Sequence, residues 1–460
     1  MFEQNVDRDN RNHFKDESQH DPEKSGISEF EAAASIAKAI MGAGSFALPW
    51  AFSNMGYIAG PIFMVVLMLF SINSLDLLVK CSRMTSSVRC SSIIASASTT
   101  EVSEDDIPKQ ASVTSLSPQA QSYVDVARSI FGQTGARLTY VASISASMGV
   151  CGSYLLFIAA NLQSLFLGDK EDGGISQASI IGLILPFAVA LSSVRDMKAF
   201  AFASCLGDIS VLLGMLVVLV YGLLFHSKNF GSNCIAVGSI DTMPLAIGAI
   251  GYLFLIHFLS LPIESSMAQP KRFQAVAQKT FAACGAVSGI FGVIGYLLFG
   301  NETQQIVLLN VQGSIFVSAV KLLLCIDLLL TYPVVMRPSI VIVEQSLSTI
   351  LSFKKASVSK TSALSVQWSV HVATCALLGI CAALASISVP AFGLLSGLVG
   401  GVSQTFLAFV LPPLMFACQQ YSCMNAVEIF QRMDKRGKVL VVSGVVLILW
   451  TTVSTWNELS

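Results

Sequence analysis

The chain has 460 residues, of which 53% are hydrophobic and 12% charged, with a net charge of −1 and a mean hydropathy of +0.69. Soluble domains usually carry about 25% charged residues, so this composition excludes a soluble globular protein and indicates a polytopic protein of the lipid bilayer. The near-zero charge gives no reason to expect nucleic acid as a partner. The eleven cysteines follow no disulfide or metal-ligand spacing, so we expect no metal and no cofactor.

Residues 1–28 are polar and charged, and they predict a disordered cytoplasmic tail with no cleavable signal peptide. Apolar segments of about the length that spans a bilayer follow. They lie at residues 31–55, 57–79, 136–166, 178–193, 199–225, 243–266, 280–299, 314–336, 367–388, 390–416 and 439–456. The sequence therefore predicts an all-α protein with about eleven transmembrane helices, in a transporter domain at residues 29–456.

Basic residues between these segments are concentrated on one side of the membrane. About 23 lie on the side of the N-terminal tail, whereas the other side receives essentially Lys170 and Lys228. The positive-inside rule then places the N-terminus in the cytoplasm, and an odd number of spans places the C-terminus outside or in a lumen.

Residues 84–120 are rich in Ser and Thr and predict a disordered cytoplasmic loop.

The first apolar segment is interrupted. Gly42, Gly44 and Pro49 lie where a spanning helix should be continuous, and both residue types weaken a helix. In lipid, a break is tolerated only where protein or a watery cavity satisfies the freed backbone groups. Two interpretations are open from this segment alone. It is either a glycine-packed or proline-kinked helix, or a broken helix that binds a small polar solute at mid-membrane.

The sixth apolar segment carries similar interruptions at Gly248, Gly251 and Pro262. Between these positions lie the aromatic and polar residues Tyr252, Phe254, His257 and Ser260. A five-helix repeat would make this segment the partner of the first. Interrupted helices at matching positions of two halves indicate a transporter site between inverted repeats. The pair of segments therefore favours a solute site.

Charged residues are rare within the segments. Lys38 precedes the first break by one helical turn, Asp208 lies in the fifth segment, and Asp327 lies in the eighth. A charge at membrane depth is costly and indicates a function. Two roles are open for His257, as a proton carrier or as a neutral hydrogen-bonding side chain.

The chain has no Walker A, HExxH or GxSxG motif, so we do not expect an enzyme.

Short motifs occur in a specific order along residues 29–456. They include residues 38–44 (KAIMGAG), 48–52 (LPWAF), 56–60 (GYIAG), 122–125 (SYVD), 261–267 (LPIESSM), 331–333 (TYP) and 390–393 (PAFG). Together they resemble the amino acid/auxin permease family, and within it the proton-coupled and vacuolar amino acid transporter branches. The resemblance implies a LeuT-type fold of five-plus-five inverted repeats with discontinuous helices 1 and 6 and an eleventh helix. It also implies secondary active transport of amino acids.

The resemblance also implies a set of site residues. The first-helix residues would offer backbone groups to the α-carboxylate and α-amino groups of the substrate, and residues of the third and sixth helices would line the pocket. The expected substrate-binding residues are Met41, Gly42, Ala43, Gly44, Ser45, Phe46, Tyr154, Asn161, Tyr252, Phe254, Leu255 and His257. Lys38 and Thr331 are the expected coupling residues.

The coupling ion stays open at this level. Lys38 stands where the sodium-coupled branch typically has asparagine, which favours protons. Against this, residues 254–256 are Phe-Leu-Ile where proton-coupled relatives tend to have Phe-Glu-Gly, and His257 resembles the sodium-coupled branch. We expect a proton-coupled transporter of neutral or small amino acids that works by alternating access, in a vacuolar, other endomembrane or plasma membrane. The alternatives are sodium coupling and an amino acid sensor that does not transport.

Overall fold

The computed structural model describes residues 26–98, 122–166, 175–194, 198–352, 360–421 and 426–459. The described residues form helices, with one isolated β-bridge between Ile27 and Met267. The α-helices are α1 (Glu29–Ile40), α2 (Leu48–Met55), α3 (Ala59–Ser98), α4 (Tyr123–Phe166), α5 (Gln177–Ser192), α6 (Lys198–Phe225), α7 (Met243–Phe254), α8 (His257–Ser266), α9 (Phe273–Phe299), α10 (Ile315–Ser352), α11 (Lys360–Ser388), α12 (Phe392–Leu398), α13 (Leu411–Gln420), α14 (Ala426–Arg432) and α15 (Lys435–Leu459).

Within the described ranges, nine helical spans are long and apolar enough to cross a membrane. The bent pair formed by α1 and the helical residues 43–55 raises the number to ten. The protein is thus an all-helical, multi-pass membrane protein. A helix lies at each of the eleven predicted positions, but α5 has only 16 residues and is too short to be counted among the nine. The count of eleven therefore stays a prediction.

The first span is broken between α1 and α2. Met41 and Gly42 have non-helical backbone angles, a 3₁₀ turn follows at Ala43–Ala47, and the two halves are bent by 41°. A capping box at Ser28 and Glu31 fixes the start of α1, because each side chain bonds to the backbone N–H of the other. Glycine at position 42 lets the backbone leave helical geometry at this depth.

The sixth span is broken between α7 and α8, at Leu255 and Ile256. This break contains neither glycine nor proline, although such residues flank it. Gly248 instead serves packing, because a Cβ atom there would overlap the backbone carbonyl of Gly397 at the end of α12. Because Gly248 and Gly397 have no side chains, α7 can approach α12 and the irregular helix that follows it. That helix contains the π-helical stretches Val399–Gln404 and Phe406–Val410.

The sequence also predicted a disordered tail at residues 1–28 and a disordered loop at residues 84–120. The predicted tail falls on residues 1–25, outside the described residues, except for residues 26–28, which precede α1. The predicted loop at residues 84–120 begins in a helix, because α3 continues to Ser98. Residues 99–120 of that loop also lie outside the described residues.

Candidate functional site: a cavity between two broken helices

A cavity of about 670 Å³ lies where the two helix breaks meet. Gly42, Ala43 and Gly44 line it from the first break, and Ile256 lines it from the second. No side chain caps the 3₁₀ turn that starts at Ala43, and none caps the start of α8. The first N–H groups of a helix have no partner within that helix. The cavity therefore meets two helix N-termini whose backbone donors are free of side-chain caps.

The cavity extends from the breaks to one side of the helix bundle. We call this side the N-terminal face, because α1 begins there. The exposed residues Ser265, Ser266 and Gln345 line its outer end. In the described structure, the site between the breaks is therefore connected to solvent at the N-terminal face.

An aromatic layer covers the opposite end of the cavity. Phe46, Phe157, Phe291 and Phe392 form it, and each is at most 2% exposed. The ring centroid of Phe157 lies 5.7 Å from that of Phe46 and 5.8 Å from that of Phe392. The ring of Phe291 lies 6.1 Å from Phe46 at nearly a right angle, a favourable arrangement for aromatic pairs. These rings come from the 3₁₀ turn at Ala43–Ala47 and from α4, α9 and α12.

A second cavity of about 350 Å³ lies beyond the aromatic layer. Along α4, Val150 and Tyr154 line the first cavity, whereas Leu156 and Ala160 line the second, and Phe157 of the layer lies between Leu156 and Ala160. Gln305 also lines the second cavity, and its side-chain oxygen accepts a hydrogen bond of 2.9 Å from the Gly393 N–H.

A buried ion pair lies beside the first break. The Lys38 ammonium is 2.5 Å from Oδ1 of Asp327 on α10, and the two side chains are only 7% and 3% exposed. The Thr331 hydroxyl donates to the Asp327 backbone carbonyl at 2.8 Å and lies 3.4 Å from the same Oδ1 atom. Lys38 and Thr331 also line the cavity. A fixed positive charge is thus held between α1 and α10 at the edge of the cavity.

A profile of the family described as transmembrane amino acid transporter protein matches residues 25–93 and 109–455, which is most of the chain. The chain belongs to the transmembrane amino acid transporter family. This family is one of transporters and not of enzymes. The predicted resemblance to the amino acid/auxin permeases, with their vacuolar branches, is confirmed.

Three relatives illustrate the similarity of this family member to curated proteins. Amino acid transporter ANT1 of Arabidopsis thaliana is 28% identical over 82% of this chain and 81% of its own length. Amino acid transporter AVT3C of the same plant is 26% identical over 94% of this chain and 91% of its own. Vacuolar amino acid transporter 3 of Saccharomyces cerevisiae is 25% identical over 73% of this chain, but over only 48% of its own length.

Two solved structures share the fold of this family member. A Na⁺-coupled sialic acid symporter in a substrate-bound outward-open state aligns with a TM-score of 0.54 at 12% identity, covering 94% of this chain and 90% of its own. MhsT in complex with L-phenylalanine aligns with a TM-score of 0.50 at 11% identity, covering 94% and 99%. Both are transporters of the LeuT-type fold, which the sequence led us to expect.

The structure of this family member brings only part of the predicted site together. Seven of the predicted residues line the cavity, namely Lys38, Gly42, Ala43, Gly44, Tyr154, Tyr252 and Thr331. The others do not line it, namely Met41, Ser45, Phe46, Asn161, Phe254, Leu255 and His257. Asn161 donates to the carbonyl of Phe157 within its own helix, and the Phe254 carbonyl accepts a bond from Ser71 on α3. His257 is fully buried, and neither ring nitrogen has a hydrogen-bond partner among the described residues.

Sequence reasoning did not single out Gln404, which also lines the cavity. It is 2% exposed, and its side-chain oxygen has no hydrogen-bond partner within the described part of the chain. Gln404 ends a π-helical stretch, and such stretches are frequent at functional sites. The signal in the sequence that could have identified Gln404 is a polar side chain within an apolar segment.

No three His, Cys, Asp or Glu side chains of the described ranges are placed to hold a metal ion.

Proposed function

We propose that the protein is a proton-coupled secondary active transporter that carries neutral or small amino acids by alternating access. The observation that carries this proposal is the cavity at the junction of two broken helices. Membership of the transmembrane amino acid transporter family supports the substrate class. The names of its relatives, amino acid transporters of a plant and a vacuolar transporter of yeast, point the same way.

The ends of the broken helices suit the two charged groups that every free amino acid carries. The N–H groups at Ala43 and Gly44 begin a half-helix, and a helix N-terminus attracts a carboxylate through its free donors and its dipole. The last carbonyls of α1 and α7 lie at helix C-termini, which attract a cation such as the α-ammonium group. The site therefore binds the backbone part of an amino acid and leaves the side chain to the rest of the cavity.

The charges of the lining residues favour a neutral substrate side chain. Three lining residues are charged, namely Lys38, Asp125 and Arg337. Lys38 is paired with Asp327, and Asp125 forms an ion pair of 3.3 Å with Arg128. Arg337 lies further toward the N-terminal face than Thr331 on the same helix. Among the described residues that line the cavity, no unpaired charge near the breaks is thus available to select an acidic or basic side chain.

The two cavities and the aromatic layer support alternating access. In the described structure the site is connected to the N-terminal face and is closed from the second cavity by the aromatic layer. Because the positive-inside rule places the N-terminus in the cytoplasm, we assign this arrangement as an inward-facing state. Transport then requires the aromatic layer to open while the cytoplasmic path closes, so that the site faces one side at a time.

Lys38 supports protons as the coupling ion. Its ammonium provides a fixed positive charge beside the first break and near the Thr331 hydroxyl. A lysine ammonium at this position takes the place of a bound sodium ion, and the two would repel each other at close range. We therefore expect the driving ion to be a proton.

The test is uptake of a panel of labelled amino acids into proteoliposomes that contain the purified full-length protein. One series has an imposed proton gradient and a second has a sodium gradient. Protein-free liposomes and a protonophore serve as controls. We expect uptake of one or more neutral amino acids that follows the proton gradient, ignores sodium and disappears with the protonophore.

Two other results would redirect the proposal. Uptake that depends on the sodium gradient alone would overturn proton coupling and leave the transport function in place. Saturable binding of an amino acid without uptake under either gradient would overturn transport and indicate a sensor.

A further inference from the structure

We propose that the carboxyl pair Asp208 and Asp327 is the binding site of the coupling proton, and that Lys38 is the counter-ion whose pairing this proton controls. The inference rests on the proposed function, because it names the groups that carry the proton. It differs from the sequence-based expectation, in which Lys38 and Thr331 alone were the coupling residues.

Three helices bring these charges together. Lys38 lies on α1, Asp208 on α6 and Asp327 on α10. Gly207, the neighbour of Asp208, touches the Lys38–Asp327 pair so closely that a Cβ atom at Gly207 would overlap both the Lys38 ammonium and the Asp327 carboxylate. Asp208 itself interacts electrostatically with both residues. The glycine thus allows α6 to place a second carboxylate beside the ion pair.

The balance of charge in this cluster requires a further cation. One ammonium and two carboxylates give a net charge of −1 when all three are ionised. Oδ2 of Asp327 and Oδ1 of Asp208 are both buried and have no hydrogen-bond partner among the described residues. A buried, unpaired negative charge is strongly unfavourable. A proton added to one carboxylate removes the excess charge and provides a hydrogen-bond donor, so the cluster is built to hold one.

Within the part of the chain that the structure describes, no other charged group in the surrounding helices takes this role. Tyr154 on α4 interacts with Asp327, and Cys284 on α9 interacts with Asp208. A phenol and a thiol ordinarily lose their protons only above about pH 8, so both are neutral at physiological pH. Other titratable groups on the neighbouring helices are engaged elsewhere. Glu264 on α8 pairs with Arg83, Lys321 on α10 bonds to Ser164, and His371 on α11 lies 2.6 Å from Glu344.

The cluster is connected to the solute site through α1. Lys38 lies one turn before the break at Gly42, and both residues line the cavity. With both carboxylates ionised, Lys38 is bonded to Asp327 of α10 and is also attracted by Asp208 of α6. When a proton binds, one carboxylate becomes a carboxylic acid and no other bond changes. The attraction on Lys38 is then weaker, so α1 is freer to move relative to α10. Binding and release of one proton thereby bias the position of the broken helix that holds the solute.

The test uses the full-length protein in proteoliposomes with a solute that the wild type accumulates. Asp208→Asn and Asp327→Asn keep the size of each side chain and remove its titration. Asp76→Asn is the matched control, because Asp76 forms an exposed ion pair with Lys80 within α3 and lies outside the cluster. Two rates are measured, namely accumulation driven by a proton gradient and exchange of labelled for unlabelled solute without any gradient.

We expect Asp208→Asn and Asp327→Asn to lose at least tenfold in gradient-driven accumulation while exchange remains measurable. We expect exchange in these variants to become independent of pH between 5 and 8. Asp76→Asn should behave as the wild type. Asp208→Glu and Asp327→Glu, which keep a titratable carboxyl, should recover pH-dependent accumulation.

Accumulation with the wild-type pH dependence in both Asn variants would overturn the inference. A second result would also overturn it. If the Asn variants are monodisperse but lose both exchange and accumulation, and the Glu variants recover neither rate, the two carboxyl groups have a structural role. Failure of the wild type itself to accumulate any solute in a proton gradient would instead refute the proposed function. The two failures are therefore distinguishable.

Discussion

Gly44 lies directly against the ring of Tyr252, so that a Cβ atom at position 44 would be 2.7 Å from Cδ1 of that ring. The two residues belong to the two broken spans, and both line the cavity. The missing side chain at Gly44 is therefore what lets the first break approach the second. The proposed solute site depends on this contact, because residues of both breaks line the cavity.

We expect Gly44→Val to reduce uptake on the order of tenfold or more, since a displaced helix break no longer presents its N–H groups to the solute. The measurement is initial uptake rate and solute affinity in proteoliposomes, normalised to the amount of inserted protein. Gly182→Ala is the control, because a Cβ at Gly182 meets nothing within 4 Å. Normal uptake by Gly44→Val would mean that solute binds elsewhere.

Gln404 should determine which side chains the site accepts. Its side-chain oxygen is a buried acceptor that has no partner among the described residues, and an unpaired buried polar group costs about 1–3 kcal/mol. We expect Gln404→Leu to raise the KM for amino acids whose side chains carry a hydroxyl or amide donor by roughly tenfold. The KM for aliphatic amino acids should fall or stay unchanged.

The measurement for this prediction is KM for serine, glutamine, alanine and leucine in the same preparation. Gln419→Leu is the control, because the Gln419 amide bonds to Thr85 outside the cavity. An equal change for polar and aliphatic substrates would show that Gln404 supports the helix and does not read the side chain.

Two ion pairs at the N-terminal face should differ in their contribution to stability. Glu264 is 9% exposed at its side chain and accepts from Arg83 at 2.9 Å, whereas Glu29 and Arg272 are 45% and 62% exposed. Exposed pairs contribute about 0–1 kcal/mol, and hydrogen bonds to charged groups about 1.5–3 kcal/mol. We expect Glu264→Gln to lower the free energy of unfolding by about 1.5–3 kcal/mol and Glu29→Gln by less than about 1 kcal/mol.

Unfolding of the purified variants in one detergent is the measurement, and the double variant Glu264→Gln with Arg83→Gln completes a mutant cycle. A coupling energy near zero for Glu264 and Arg83 would contradict the expectation. Equal effects of Glu264→Gln and Glu29→Gln would do the same, because they would show that burial does not separate the two pairs.

The aromatic layer predicts opposite accessibility for two positions on one helix. Val150 lines the first cavity and Ala160 the second, with Phe157 between them. In a background without other cysteines, Val150→Cys should react with a membrane-impermeant thiol reagent only from the N-terminal face. Ala160→Cys should react only from the opposite face. Labelling rates on oriented vesicles are the measurement.

Addition of solute and a proton gradient should slow the labelling of Val150→Cys and leave or increase that of Ala160→Cys, since the site then turns toward the other side. Phe157→Ala in the same background is the comparison variant, and it should let reagent pass from one cavity to the other. If Phe157 is retained and both positions are still labelled from the same face, the result would be incompatible with alternating access.

The sequence by itself determined the class of this protein and the two interrupted spans that meet at the candidate site. Hydropathy is a local property, so apolar segments predicted a multi-pass helical protein, and the motif order gave the family. The interruption at Gly42 and Gly44 predicted the first helix break, because glycine acts on its own backbone. For the sixth span the sequence predicted interruptions at Gly248, Gly251 and Pro262, whereas the break lies at Leu255 and Ile256.

Only the tertiary structure decided which side chains meet. Lys38 and Asp327 are 289 positions apart, and their contact depends on how α1 and α10 are rotated about their axes. The local sequence of neither helix records which residue of the other it meets, since that depends on how two distant segments pack against each other. The same holds for the aromatic layer and for Gln404, whose direction is set by a π-helical stretch. The packing of several helices fixes these orientations, so the sequence could name the charged residues but not their partners.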